Sequence, residues 1–268
     1  MAQLKFESIS KYYGESPAIL DVDLSIPSGS FTVLIGPSGC GKSTLLEIAA
    51  GLSKPSRGLV SLAGQPVVQP GDETAIVFQN HNLFEWLTVL DNVAFGLHAA
   101  GVPLKQRRSK GLQLLKEVGL ADYARKLPKE LSGGMKQRVA IARALAVNPQ
   151  VLLMDEPFSS LDYQTRTVMQ RYLLALWHHT ATTIVMVTHD LEEAIMLADQ
   201  VVLFSSSPGR ILEVIPLASE RPRNPETPEL RKIRNELRRF LEYEVASHEF
   251  TQDELAAIKK EGMTIRSF

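Results

Sequence analysis

A chain of 268 residues with 44% hydrophobic content can build one large folded unit and a smaller appendage, and its formal net charge of −1 gives no basic footprint for nucleic acid. The single cysteine, Cys40, excludes an internal disulfide and a cysteine-built metal site, which suits a reducing compartment. No apolar run approaches the roughly 18 residues of a membrane span, and Met1-Ala2-Gln3-Leu4-Lys5 lacks the apolar core of a secretion signal, so any link to a membrane is expected to come through a partner.

Leu4, Phe6 and Ser8 alternate with Lys5, Glu7 and Ile9, and Leu20 to Ile26 repeats the period of two more cleanly, which predicts paired antiparallel strands. Between them Tyr13 precedes Gly14, where an aromatic ring serves either to stack on a flat base or simply to pack. Phe31 to Ile35 reads as a buried strand, and Ser43 to Ala50 as a helix stopped by Gly51. The stretch between them, Gly36-Pro37-Ser38-Gly39-Cys40-Gly41-Lys42-Ser43, fits G-x-x-x-x-G-K-[ST], with Thr44 following in the helix. Strand, glycine loop and helix stand in the order that a phosphate cradle needs. Glycines let the backbone wrap an anion, N–H groups and the helix N-terminus point at it, Lys42 adds a mobile charge, and Ser43 offers a hydroxyl to Mg²⁺. Further short strands are expected at Gly58 to Gly64 and at Thr74 to Phe78, the second delivering Gln79 at its end.

From Leu87 to Asn148 the periodicity is helical, with Val89, Val93, Leu97, Leu112, Leu115 and Val118 on successive faces, and the cluster Lys105-Gln106-Arg107-Arg108 reads as a solvated helix face. Sheet character returns at Val151 to Met154, Thr183 to Val187 and Val201 to Phe204, continuous apolar runs suited to a parallel sheet covered on both faces, with a helix from Tyr163 to Trp177. Ser205 to Gly209 marks a turn, and Pro216 to Pro228 reads as a linker over the surface. Leu230, Ile233, Leu237, Phe240, Leu241 and Val245 then form one apolar helical stripe, and Thr251-Gln252-Asp253-Glu254 has the form of a capping box for a last helix ended by Gly262. Glu229, Glu236, Glu242 and Glu244 interrupt the basic residues beside the stripe, so it is expected to bury on protein rather than lipid, foremost on its own chain near the last sheet strands and otherwise on a second subunit.

Two further segments carry chemistry. The strand ending in Asp155-Glu156 places two carboxylates beside the cradle, Asp155 to hold Mg²⁺ through water and Glu156 to orient or deprotonate the water that attacks a γ-phosphate. Strand alternation should send the two side chains in opposite directions. Leu131-Ser132-Gly133-Gly134-Met135-Lys136-Gln137-Arg138 opens a helix running to about Ala146, with Ser132 as N-cap and the N–H groups of Gly133 and Gly134 free for an anion.

Over roughly residues 3 to 215 these segments together resemble the ATP-binding cassette (ABC) ATPases. The octet Leu131 to Arg138 is similar to the family's signature, Gln79 to its Q-loop, Ser159-Ser160-Leu161-Asp162 to its D-loop, and His189 to its switch histidine. The resemblance implies an α/β fold: a P-loop NTPase core with a parallel sheet, an antiparallel β subdomain, a helical subdomain at about 87 to 148 and a C-terminal helical tail, with the ATPase domain ending near 215 and the linker and tail filling 216 to 268. It implies ATP and Mg²⁺ as cofactors, with Tyr13 stacking on adenine, residues 36 to 44 holding the phosphates, Ser43, Gln79 and Asp155 around the metal, and Glu156, Gln79 and His189 in catalysis. The resemblance further implies that two such chains pair head to tail, so that Ser132, Gly133, Gly134 and Asp162 of each complete the site of the other. Met135-Lys136 departs from the commoner Gln-Gln or Gln-Arg, but the Ser-Gly-Gly core is intact. The place of Cys40 inside the glycine loop predicts a thiol that a bulky reagent modifies with loss of activity and that MgATP protects.

More narrowly, Asp155 to Asp162, Pro208-Gly209-Arg210-Ile211 and Arg221-Pro222-Arg223 resemble the ATPase subunits of bacterial importers for nitrate, sulfonates, taurine and bicarbonate. That likeness implies permease subunits docking near Leu83, Phe84 and Trp86, an external solute-binding protein, and a place on the cytoplasmic face of the inner membrane. An exporter is the alternative within the family; a soluble cassette that remodels DNA or ribosomes and a module that holds ATP without turnover are the alternatives outside transport. The chain lacks the tandem cassettes, long coiled coils and basic arms of the former, and carries Glu156 and His189 against the latter.

Overall fold

Strand alternation explains why the apolar runs are continuous: in a computed structural model, which describes residues 3–180 and 182–249, they form a sheet that buries both faces. The elements follow in the order β1 (Leu4–Tyr13), β2 (Ser16–Ile26), β3 (Phe31–Ile35), α1 (Lys42–Ala49), β4 (Arg57–Leu62), β5 (Gln65–Pro66) and β6 (Thr74–Val77). Then come α2 (Val89–Val93), α3 (Phe95–Ala99), α4 (Leu104–Glu117), α5 (Gly133–Ala146), β7 (Val151–Asp155), α6 (Tyr163–Thr180), β8 (Thr183–Val187), α7 (Leu191–Leu197), β9 (Gln200–Phe204), β10 (Ile211–Pro216) and α8 (Pro228–Glu249).

The larger sheet has the order β10-β9-β3-β8-β7-β6, parallel from β9 to β6, with β10 antiparallel on the edge. Phe31, Val33, Leu152, Met154, Ile184, Met186, Val201 and Leu203 face the core shared with α2, α4, α5, α6, α7 and α8. Leu34, Val151, Leu153, Val185, Val187, Val202 and Phe204 face the other core, shared with α1 and the smaller sheet. That smaller sheet is antiparallel in the order β2-β1-β4-β5. The α/β fold with a parallel sheet, an antiparallel sheet and a helical insert is therefore present as expected.

Three expectations need correction, and a fourth is extended. The alternation along β1 breaks at Ser8, whose φ of 48° makes a bulge, so Ser8 is exposed while Ile9 and Ser10 are both buried. Ser10 Oγ is satisfied there by the Asp21 carboxylate at 3.3 Å. On α4, Leu112 is 43% exposed and Leu114 takes the core position beside Leu115 and Val118, because the helix turns its inner face one step from the predicted one. β10 went unread, since Leu212 and Val214 on this edge strand are exposed and give no buried pattern. Finally, 216–228 runs over the surface as a linker but is tied down: Arg221 donates to Leu197 O at 2.7 Å, and Arg223 donates to Ile195 O at 2.8 Å and to Leu217 O at 3.0 Å. Ile195 O and Leu197 O belong to the last turn of α7, which a helix leaves orphaned, whereas Leu217 O follows β10. Burial pulls the Arg223 guanidinium down to about 10, still protonated at neutral pH.

The tail packs on its own chain. Leu230 and Leu237 are 2% and 0% exposed, and Ile233, Phe240 and Leu241 press on the same core, where α8 crosses α7. Val245 and the capping box at Thr251 lie outside what the structure describes. Among the described residues no helix is long and apolar enough to cross a membrane.

Candidate active site

In an open parallel sheet the loops at the carboxyl ends of the strands surround the ligand site. Here β3 leads into the glycine loop, and β8, β7 and β6 end beside it in that order at His189, Asp155-Glu156 and Gln79. Because neighbouring strands lie about 4.8 Å apart, Glu156 is flanked by the residues after the strands on either side. Gln79 Nε2 donates to Glu156 Oε2 at 3.1 Å, and His189 Nδ1 lies 3.2 Å from Glu156 Oε1. The carboxylate is thereby fixed by an amide on one side and an imidazole on the other, the latter with its ring largely open to solvent.

The division between the two carboxylates exists, but strand alternation is not its cause. β7 ends at Asp155, and Glu156 adopts a φ of 46°, a left-handed conformation rare outside glycine and held here by its N–H on Val187 O at 3.0 Å. Asp155 lies beside Ser43 and within reach of the Lys42 charge. Burial pushes its carboxyl up, with the Ser43 hydrogen bond opposing.

The cradle loop has a rigid underside. Lys42 is 8% exposed, and its Nζ donates to Gly36 O at 2.8 Å and Pro37 O at 2.7 Å, carbonyls that point into the loop. Gly41 caps α1 with a φ of 92°, and a Cβ there would lie 2.8 Å from Ala18 O. Gly209, from the turn after β9, leaves no room for any side chain: its Cβ would fall 1.9 Å from Cys40 O. Its own N–H and C=O bond Ala18 O and Leu20 N, so this turn, unremarked as part of the site, props the loop from below.

The structure corrects the expectation of a reactive Cys40 thiol. A thiol facing the phosphates would be blocked by a bulky reagent, but Cys40 is 0% exposed, and its Sγ lies 3.3 Å from Lys42 Nζ on the inner side of the loop. Only its backbone is available to a nucleotide. A bulky maleimide is therefore expected to leave the native protein unlabelled and active for hours and to label it only in denaturant; rapid native labelling would contradict the buried thiol.

The remaining residues lie apart from this constellation. Tyr13, 55% exposed at the end of β1, has Lys11 Nζ 5.3 Å from its ring centre. Ser132 caps α5, accepting the Met135 N–H at 3.3 Å, and a Cβ on Gly133 would meet nothing within 4 Å, so the helix start is open. Asp162 is exposed and caps α6 through the Thr165 N–H at 3.0 Å, which holds its carboxyl below the usual range. The loop after Gln79 presents Trp86, 76% exposed and 5.5 Å from Phe84 between ring centres, with Leu83 packed beneath. Sequence reasoning missed what shapes that loop. Asn92, 0% exposed, accepts the Phe84 N–H at 2.8 Å and donates to the carbonyls of Phe84, Leu87 and Thr88. Arg143 on α5 donates to His81 O and Asn82 O at 2.9 and 2.6 Å.

A glycine-loop lysine with its serine, a carboxylate beside that serine, and a second carboxylate held between an amide and an imidazole define a P-loop nucleoside-triphosphate hydrolase. The family model described as ABC transporter matches residues 19–159. The chain belongs to the ABC transporter family, as an ATP-binding and ATP-hydrolysing cassette. It is 50% identical over 205 residues to the taurine import ATP-binding protein TauB of Escherichia coli (strain K12), which covers 76% of this chain and 80% of that one. A Brucella abortus biovar 1 (strain 9-941) chain, provisionally named an ATP-binding protein, is 46% identical over 236 residues, 87% of this chain and 91% of its own. Among solved structures, the dimeric post-hydrolysis state of the ATP-binding cassette MJ0796 bound to ADP and Pi aligns with a TM-score of 0.74 and 33% identity, covering 81% of this chain and all of that one.

Proposed function

We propose that the chain is the ATP-hydrolysing subunit of an importer for a small sulfonate, taurine foremost, with nitrate and bicarbonate as the neighbouring substrate classes. The observation that carries this reading is the 50% identity with a taurine import subunit, joined to an unbroken Gln79–Glu156–His189 constellation. ATP lies with adenine on the exposed Tyr13 ring and its phosphates among the N–H groups of residues 36–44, and Lys42 Nζ exchanges its carbonyl partners for phosphate oxygens. Ser43, Asp155 and Gln79 offer hard oxygen donors, a set that suits Mg²⁺. When bound, Mg²⁺ offsets negative charge on the phosphate oxygens.

Glu156 accepts the proton of the attacking water while Gln79 and His189 hold its two oxygens in place. The open N-terminus of α5 at Ser132, Gly133 and Gly134, with Asp162, serves the nucleotide of a second ATPase subunit in a head-to-tail pair; the dimeric state of the MJ0796 cassette supports this arrangement. Leu83, Phe84 and the exposed Trp86 form the contact for a membrane permease, which keeps the chain peripheral on the cytoplasmic face of the inner membrane and works with an external solute-binding protein.

Deletion of the gene from its host is expected to abolish uptake of radiolabelled taurine, and a copy carrying Glu156→Gln should fail to restore it. Unchanged taurine uptake with loss of nitrate or bicarbonate uptake would move the solute and keep the importer; unchanged uptake of all three would refute the transport reading.

A further inference from the structure

The loop that carries His189 is held from behind by groups that the hydrolytic reading does not use. Thr188 is 3% exposed, donates its hydroxyl to Glu193 Oε2 at 2.6 Å and accepts the Asp190 N–H at 3.1 Å. Glu193, on the first turns of α7, is 4% exposed; burial pushes its carboxyl up, against the Thr188 hydrogen bond and the Arg166 charge. Arg166 on α6 then spans three elements. Its Nη1 lies 3.1 Å from Asp190 Oδ2, its Nε 3.8 Å from Glu193 Oε1, and its Nη2 donates to Leu161 O at 3.2 Å. The residues on either side of His189 are therefore tied, through one guanidinium, to the carbonyl that precedes Asp162.

We propose that Arg166 and Glu193 are positioning residues for the switch histidine: together they set His189 against Glu156 and make its placement depend on the shape of the Asp162 loop. A planar guanidinium suits this role because its fork reaches a carboxylate on one edge and a carbonyl on another, which the single ammonium of lysine does not reproduce. Outside this network Glu193 Oε1 accepts only from Gln170 Nε2 of α6, at 3.4 Å, among the side-chain contacts found for the two residues, so their loss should leave nucleotide binding alone. The proposal rests on the reading of Glu156 and His189 as the hydrolytic pair.

A buried ion pair can also be mere scaffolding, and the test separates the two. In full-length protein, Arg166→Met is expected to lower kcat at least tenfold with KM for ATP within twofold of wild type, and Arg166→Lys should recover less than half of the loss. Glu193→Gln, which keeps an acceptor for Thr188, should lie between wild type and Glu193→Ala. In a His189→Ala background, measured by single-turnover hydrolysis with concentrated enzyme, Arg166→Met should cost nothing further. Wild-type kcat in Arg166→Met, or a loss that multiplies undiminished onto His189→Ala, would overturn the proposal. Should Arg166→Met fail to fold, the Glu193 pair decides by the same criteria. Wild-type turnover in His189→Ala would instead sink the hydrolytic reading itself, and the proposal with it.

Discussion

Glu156→Gln is expected to reduce ATP turnover by about 10²–10⁴-fold, the range for removing a general base, while ATP affinity stays within about threefold of wild type. The geometry favours a clean substitution. An amide at this position still accepts from Gln79 Nε2 and can donate to His189 Nδ1, so the side chain keeps its place, while its basicity is gone. The proposed phosphate contacts reside elsewhere, on the glycine loop and Lys42, whose hydrogen bonds do not involve Glu156. Steady-state phosphate release and calorimetric ATP binding provide the two readings, and turnover within a factor of two of wild type would remove Glu156 from its role.

Ending the chain at Thr227 is expected to lower the melting temperature by at least about 5 °C and to change basal turnover, with ATP binding retained. Leu230 and Leu237 are buried almost completely, and full burial of one such side chain stabilises by about 1.5–3 kcal/mol. Ordering the helix offsets part of this. What remains is a core surface, including Leu217 and the outer side of α7, that would face water in the shortened chain. Turnover should respond because the tail borders Glu156 and His189, the pair proposed for hydrolysis. Arg234 pairs with Glu192 at 3.0 Å, and Arg234 and Arg238 wall a cavity of about 380 Å³ that Glu156 and His189 also line. Leu237→Ala should show the stability loss alone, on the order of 2–4 kcal/mol in chemical denaturation. A truncated protein matching full length in both melting temperature and rate would make the tail dispensable.

What the sequence discloses here follows a physical line. Runs such as Val151 to Met154 are legible because both faces of a central strand are buried, and the glycine loop because its residue types are demanded by its backbone. The amphipathic stripe of α8 was equally plain, and so was the need for protein to cover it. Three things escaped for one reason, that they depend on residues far apart in the chain. The buried side of Cys40 is set by Gly209 and Phe204, which arrive from the neighbouring strand β9 and its turn, far along the chain. The stitching of 216–228 depends on carbonyls of α7. The left-handed turn at Glu156 is fixed by the Val187 carbonyl on the next strand, and no local pattern distinguishes it from an ordinary strand end.

The attachment of the aromatic loop to α5 has a mechanical meaning. Arg143, near the far end of this 14-residue helix, grips His81 and Asn82 and lies 5.7 Å from the centre of the Phe84 ring, and Lys136, near its beginning, pairs with Glu85 at 3.7 Å. A straight helix of that length is a rod of about 21 Å, stiff along its axis because every turn is hydrogen-bonded to the next. Fastened to the loop at both ends, the rod cannot tilt without carrying Trp86 with it, nor can Trp86 be pushed without swinging the Ser132-Gly133-Gly134 tip. Lys136, the departure from the commoner signature, supplies one of the two contacts, so a push on the loop and a displacement of the tip are two ends of one crank.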